Sequence, residues 1–188
     1  MKWTGSNTGT ALLRVTTALA AILGVACAHD SFSRPPTDVP PALQVPAGQK
    51  LTRMLHATGV QIYQCKASAK DPSRYTWVYQ EPKADLSDRS GKDVARHYAG
   101  PTWEADDGSK VVGDVVARAD APGGKGIQWL LLRSKSNTGK GVFAKVQSIQ
   151  RLNTIGGLAP QDFCDASHAE QRVRIAYSAD YYFYNGRR

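Results

Sequence analysis

The segment His97–Asp106 holds the densest group of side chains that could bind or transform a ligand. It combines the imidazole of His97, the phenol of Tyr98, the indole of Trp103 and the carboxylate of Glu104 around a Gly-Pro turn. Aromatic rings stack on the flat faces of sugars and other small molecules, while imidazole and carboxylate groups supply hydrogen bonds. We therefore predict a binding site for a carbohydrate or small molecule at these four side chains.

The same segment leaves two other functions open. A carboxylate-dependent hydrolase acting on polysaccharide would pair Glu104 with Asp106, Asp107 or Asp114, at a separation of about 5–9.5 Å. Turn chemistry, however, also explains the Asp-Asp-Gly sequence that follows Glu104. In the third interpretation the aromatic residues only fix the loop to the core, and the domain is structural or binds proteins. We expect a binding protein rather than an enzyme.

Metal and cofactor motifs are absent from the sequence. The four histidines form no H-x-H or H-E-x-x-H pattern, and no C-x-x-C pair occurs. His29, as a new N-terminus, could in principle hold copper with a second histidine, but a proline-rich segment follows it rather than a strand. No phosphate-binding loop, dinucleotide fingerprint or G-x-S-x-G elbow is present. We therefore expect no metal and no cofactor.

The charge pattern bears on partners. The chain has a formal net charge of +8, but its basic residues are scattered and interleaved with Asp and Glu. A nucleic-acid-binding surface would need them clustered, so we expect no nucleic-acid partner. The mild positive charge would suit an anionic envelope component or a polysaccharide.

Residues 1–28 have the pattern of a signal peptide. Lys2 and Arg14 give a positive start, and Val15–Ala26 is an uncharged apolar run of about 12 residues. That run is too short to cross a hydrocarbon core of about 30 Å, so we expect no transmembrane span. The sequence therefore predicts export to the periplasm, the outer membrane or the cell exterior.

The processing site has two interpretations. Ala26-Cys27-Ala28 suits cleavage after Ala28, whereas Gly24–Cys27 resembles a lipoprotein signal that would lipidate Cys27. Gly24 stands where such signals prefer Leu, and both outcomes stay open. Either one leaves Cys65 and Cys164, which predicts one disulfide in an oxidising compartment. Two free structural thiols are the alternative.

The rest of the chain divides into a linker and one domain. Five prolines interrupt residues 29–49, which form either an extended tether or a segment draped across the domain. The domain covers residues 50–188. Thr58-Gly59 predicts a turn, residues 81–100 predict a long loop, and residues 141–152 fit either a strand or a helix.

Strand and hairpin signals recur along this domain. Asp107-Gly108 predicts a hairpin between Thr102–Ala105 and Ser109–Arg118. Trp129–Leu132 is apolar on both faces, which indicates a buried strand, and residues 173–183 alternate as a closing strand. We predict an all-β, single-domain antiparallel β-sandwich or barrel of about eight or nine strands with long loops.

Several short motifs in order resemble a secreted family of bacteria and fungi, catalogued as domain of unknown function 3455. The resemblance covers residues 44–184. It implies export and a β domain, and it brings no catalytic residue. The motifs that carry it are Gly59–Cys65, His97–Glu104, Asp107–Ser109, Trp129–Leu132, Ile149–Leu152, Thr154, Gly156-Gly157, Ala159-Pro160 and Cys164.

Overall fold

A computed structural model describes residues 1–5 and 36–186. Most of the predicted signal peptide lies outside the described residues. So do both predicted processing positions, Cys27 and the Ala28–His29 bond.

Eight antiparallel strands form one closed barrel, in which each strand pairs with the next along the chain and β8 pairs with β1. The described residues contain no α-helix, only short 3-10 turns. The all-β prediction is confirmed. Of the two predicted architectures, sandwich and barrel, the structure is a barrel. The strands are β1 (Gln49–Ala67), β2 (Tyr75–Ser87), β3 (Asp93–Tyr98), β4 (Thr102–Ala105), β5 (Lys110–Ala119), β6 (Trp129–Thr138), β7 (Val146–Gly156) and β8 (Arg172–Gly186).

The predicted turn at Thr58-Gly59 is wrong, because β1 runs through it without interruption. Gly59 pairs with Ala84 on β2 and with Tyr177 on β8. A Cβ atom at this position would collide with the carbonyl oxygen of Lys83. The glycine therefore permits close approach of two strands, a role that sequence alone does not distinguish from a turn.

The predicted long loop at residues 81–100 is also wrong. Strand β2 continues to Ser87 and β3 begins at Asp93, so only a short turn separates them. Pro82, Ala84 and Leu86 alternate as buried residues of β2. Proline and alanine have low strand propensity, and here packing against neighbouring strands overrides it. Within residues 141–152 the strand alternative is right from Val146, where β7 begins, whereas residues 141–145 form a turn.

The barrel buries apolar side chains on both faces of β6 and β8. Leu130 and Leu132 belong to the interior core, whereas Trp129 and Leu131 belong to a second cluster on the outer face. Strand β8 divides in the same way between Tyr181 and Phe183 inside and Tyr182 and Tyr184 outside. This arrangement explains why Trp129–Leu132 is apolar without alternation.

Residues 36–48, which we call the N-terminal strap, cover the outer cluster. Val39 and Leu43 of the strap are buried there. The Gln150 side-chain amide donates to the Leu43 carbonyl at 2.7 Å, and the Tyr184 hydroxyl donates to Gln150 Oε1 at 2.7 Å. This part of the segment assigned to the linker therefore packs onto the barrel as a draped segment.

The two ends of the barrel differ. In this strand order the connections after odd-numbered strands lie at one end, and those after even-numbered strands lie at the other. At the second end the β6–β7 connection inserts Phe143, which is fully buried, with its ring centroid 4.6 Å from that of Phe183. We call this the plugged end and the opposite one the open end.

Candidate functional site

A cavity of about 560 Å³ lies inside the barrel at its open end. Most of its described lining is aromatic or aliphatic; two residues are arginines and none is an aspartate or glutamate. The lining residues are Gln61, Tyr63, Tyr79, Gln80, Pro82, His97, Gly100, Pro101, Trp103, Val115, Arg118, Ile127, Gln128, Leu130, Leu132, Arg151, Leu158 and Tyr181.

Three aromatic rings in mutual contact line the deep part of this cavity. His97 on β3 pairs with Trp103 on β4, and their rings stack with centroids 4.4 Å apart and planes 10° apart. Tyr181 meets the Trp103 ring edge-on at 5.3 Å. Gly113 on β5 leaves room for the indole, since a Cβ there would lie 3.1 Å from it. The backbone thus positions a flat, apolar surface inside the barrel.

His97 is held in one neutral form. Its Nδ1 lies 2.8 Å from the Thr102 carbonyl oxygen, which can only accept, so Nδ1 carries the proton. Burial and, to a smaller extent, the positive charge of Arg151 together lower the pKa of His97 to about 3, although the hydrogen bond to Thr102 opposes this shift. At neutral pH the ring is therefore uncharged, and its Nε2 atom is a hydrogen-bond acceptor.

Two buried polar atoms of the lining, Nε2 of Gln61 and Nε1 of Trp103, have no hydrogen-bond partner among the described residues. The two residues are 2% and 1% exposed, respectively. The Tyr181 hydroxyl, by contrast, interacts with Tyr177 and Arg151. Buried polar atoms in folded proteins almost always have a partner, which can be water or a ligand as well as protein. The pair formed by Gln61 and Trp103 is therefore chemically incomplete as the protein alone presents it.

Arg151 introduces a positive charge into the cavity. On β7 it stands directly opposite Leu130 of β6 and Tyr181 of β8, both of which line the same space. Its Nε and Nη2 atoms donate to the Gln128 carbonyl at 3.2 and 2.8 Å. Burial raises the pKa of Tyr181, and the Arg151 charge opposes that rise. The guanidinium group is thus fixed at the β7 wall.

The four residues predicted as one site lie on two faces of the sheet. His97 and Trp103 line the cavity, whereas Tyr98 and Glu104 face outward, because side chains alternate along each strand. The Tyr98 hydroxyl donates to Glu104 Oε2 at 2.7 Å, and Lys110 Nζ lies 3.2 Å from Glu104 Oε1. Both contacts lower the pKa of Glu104. The outer pair borders a separate depression of about 250 Å³.

Asp107, one of the candidate second acids, acts within the β4–β5 turn. Its Oδ1 accepts from the Ser109 hydroxyl at 2.6 Å and the Ser109 amide at 2.8 Å. Its Oδ2 accepts from the Val142 amide at 2.8 Å. These bonds lower the pKa of Asp107 and tie two connections together at the plugged end.

Sequence reasoning missed Gln61, Tyr181 and the full role of Arg151. Arg151 and its neighbour Gln150 lie on opposite faces of β7: Arg151 lines the cavity, whereas Gln150 lies under the N-terminal strap. The alternation of side chains along a strand could have identified Arg151, because it lies two residues from the core residue Ile149 and therefore shares its face of the sheet.

The predicted disulfide is present. Cys65 near the end of β1 is bonded to Cys164 in the β7–β8 connection, with Cα atoms 5.5 Å apart. It fixes that connection, which contributes Leu158 to the cavity, at the open end. The disulfide indicates an oxidising compartment. Among the described residues, no helix has the length and apolar character that a membrane span requires. Their His, Cys, Asp and Glu side chains also form no group of three that could hold a metal ion.

Fold and site together define a closed eight-stranded barrel with an internal cavity of ligand size. Residues 46–185 match the family model described as protein of unknown function DUF3455, and the chain belongs to this family. The resemblance seen in the sequence motifs is thereby confirmed. A search of curated proteins and a search of solved structures gave no match.

Proposed function

We propose that this chain is an exported, non-catalytic protein that binds one small, mainly apolar molecule inside the barrel. The observation that carries the proposal is the pair of unpartnered polar atoms of Gln61 and Trp103 in a cavity lined mostly by apolar side chains. Binding sites for small molecules combine an apolar lining with a few polar groups, in volumes of about 300–1,000 Å³. Eight-stranded barrels have room for one such ligand.

The lining favours a small apolar molecule over a carbohydrate. A sugar carries hydroxyl groups on most of its carbon atoms, and each needs a partner once it leaves water. The cavity offers several aliphatic and aromatic surfaces, among them Leu130, Leu132 and Trp103, for each polar side chain. A hydrophobic ring can pack against Tyr79 and Leu158, which are exposed residues of the lining, without that cost.

Catalysis by paired carboxylates has less support. Glu104 faces outward and is engaged by Tyr98 and Lys110, and the described lining of the cavity holds no acidic residue. A glycosidase would need two carboxyl groups facing one another across a cleft.

The location that we propose is the periplasm, the outer membrane or the cell exterior, with Cys27 lipidated or removed. Mass spectrometry of the mature N-terminus distinguishes these forms.

Blocking the cavity tests the proposal. Val115 lines the cavity, whereas the next residue, Val116, is 50% exposed and does not. Fluorescence of the neutral probe N-phenyl-1-naphthylamine should rise saturably with the wild-type protein and with Val116→Trp. With Val115→Trp the rise should disappear, because the indole occupies the ligand space. Thermal unfolding verifies that both variants fold.

Two results would refute the proposal. One is the lack of any saturable signal with the wild-type protein. The other is an unchanged signal in a folded Val115→Trp variant, which would place the probe elsewhere on the molecule.

A further inference from the structure

We infer that the natural ligand of the cavity is an organic carboxylate with an apolar body, and that Arg151 binds its carboxylate group. This inference deepens the proposed function and rests on it. It specifies the chemical class of ligand and the residue that selects it.

The charge balance of the cavity supports this inference. Arg151 and Arg118 are its charged lining residues, and no carboxylate among the described residues lines it. None of the ion pairs formed by the described residues includes Arg151. A cation that borders a largely apolar cavity is costly unless an anion or water compensates it. A bound carboxylate would supply this compensation, and guanidinium groups bind carboxylates through two parallel hydrogen bonds.

The unpartnered polar atoms give a second, independent argument. The Gln61 amide nitrogen and the Trp103 indole nitrogen can only donate hydrogen bonds. The residues are at least nine-tenths buried and line the same cavity as Arg151. An acceptor atom of a ligand placed in the cavity would satisfy these two donors. Carboxylate oxygens accept several hydrogen bonds each and carry the matching charge.

The placement of Arg151 limits where the carboxylate can bind. The guanidinium is held against the Gln128 carbonyl, in the connection between β5 and β6 at the open end. Deeper in the barrel lies Trp103, whose ring centroid is 6.1 Å from that of Phe183, the residue that packs on Phe143 of the plugged end. The ligand would therefore bind with its apolar part inside the barrel and its carboxylate near the open end. This orientation leaves the charged group least desolvated.

A pair of ligands that share a naphthalene ring, one with a carboxylate and one with a neutral head group, tests the inference. We would displace N-phenyl-1-naphthylamine with 2-naphthoate and with its neutral analogue 2-naphthalenemethanol. The proteins are the wild type, Arg151→Gln, Arg151→Lys and the control Arg174→Gln, which removes the same charge from an exposed position of β8. The full mature chain is used throughout, and thermal unfolding reports whether each variant folds.

The wild-type protein should bind 2-naphthoate about 10- to 100-fold more tightly than the alcohol, the range expected for a hydrogen bond to a charged group. Arg151→Gln should abolish this preference, so that 2-naphthoate and the alcohol compete with the probe equally well. Arg151→Lys should retain part of the preference, and Arg174→Gln all of it.

The contradicting results separate this inference from the proposed function. If the probe binds saturably but the two naphthalenes compete equally with the wild-type protein, the inference is overturned and binding stands. A preference that persists in Arg151→Gln also overturns it, as does one that disappears in Arg174→Gln. If neither the probe nor either naphthalene binds, both proposals fall. Should Arg151→Gln not fold, the wild-type ratio and Arg151→Lys decide.

Discussion

The two halves of the barrel are made by the same strands, but the interior of one half is tightly packed and that of the other encloses a cavity. Towards the plugged end the core is apolar and closely packed, with Phe143 against Phe183. Towards the open end Gln61, Arg151 and Tyr181 surround a cavity. An unsatisfied buried polar group costs about 1–3 kcal/mol, and an apolar replacement would remove that cost. This difference indicates that the plugged half stabilises the fold, whereas the open half contains unsatisfied, destabilising polar groups whose hydrogen bonds a ligand would complete.

The largest effect is expected at the plugged end. Phe143→Ala should lower the free energy of unfolding by about 3–5 kcal/mol, because it removes a fully buried ring from the packed half. Binding of N-phenyl-1-naphthylamine at the open end should be unchanged under conditions where the variant is folded. Urea unfolding and probe titration measure the two quantities. A loss of probe affinity in the folded variant would show that the halves are not independent.

Removal of the disulfide should have the next largest effect. The double variant Cys65→Ala/Cys164→Ala frees the β7–β8 connection at the open end, and we expect a loss of about 2–4 kcal/mol in the free energy of unfolding. Because Leu158 in that connection lines the cavity, probe affinity should also fall. Reduction of the wild-type protein provides the control. Full probe affinity in the folded double variant would contradict a role of this connection in the cavity.

Acidic pH should lower the free energy of unfolding, because His97 is neutral in the folded protein and takes up a proton on unfolding. Its pKa is about 3 in the folded protein and 6.5 in its ordinary state, so the unfolded chain binds a proton more readily. The contribution of neutral His97 is complete above about pH 6.5 and declines as the pH falls towards 3. At pH 4.5 the loss should be about 2–3 kcal/mol.

Urea unfolding of the wild type and of His97→Phe at pH 7 and pH 4.5 tests this expectation. The phenylalanine variant should lose less stability between the two pH values than the wild type does. His56→Phe, at an exposed histidine, should keep the wild-type loss because His97 is intact. Equal acid sensitivity of the wild type and His97→Phe would contradict a neutral, buried His97.

The smallest effect is expected from replacing two buried glutamines, one with and one without hydrogen-bond partners for its side chain. Gln61 and Gln150 are both 2% exposed, but Gln150 is bonded through both of its polar atoms, whereas Gln61 Nε2 is unpartnered. Gln150→Met should destabilise by about 1–3 kcal/mol, because the Leu43 carbonyl loses its partner. Gln61→Met should be neutral or stabilise by about 1 kcal/mol. Equal destabilisation by both substitutions would indicate that Gln61 is satisfied within the protein.

Local signals in the sequence were sufficient for much of the fold. The Asp107-Gly108 turn, the apolar run Trp129–Leu132 and the alternation of β8 depend on neighbouring residues only, and all three predictions are confirmed. Residues 81–100 and Gly59 were misassigned because their strand conformation depends on contacts with distant strands. Propensity alone does not contain those contacts.

The cavity could be predicted only in part, for a similar reason. His97 and Trp103 are close in sequence and were recognised, but Tyr98 and Glu104 were grouped with them although they face outward. Arg151 meets the Trp103 neighbourhood only when β7 and β8 complete the barrel. Barrel closure, and not any motif, brings these residues together.

The most direct test of the account observes the indole N–H groups of the protein during a titration. Trp103 lines the cavity, whereas Trp129 lies on the outer face near the N-terminal strap, and the indole nitrogen of each is buried without a partner. In ¹H–¹⁵N spectra, assigned with Trp-to-Phe variants, addition of 2-naphthoate should shift the Trp103 indole signal saturably and leave that of Trp129 in place. A Trp103 signal that does not respond at saturating ligand, or a response confined to Trp129, would contradict ligand binding in the open half of the barrel.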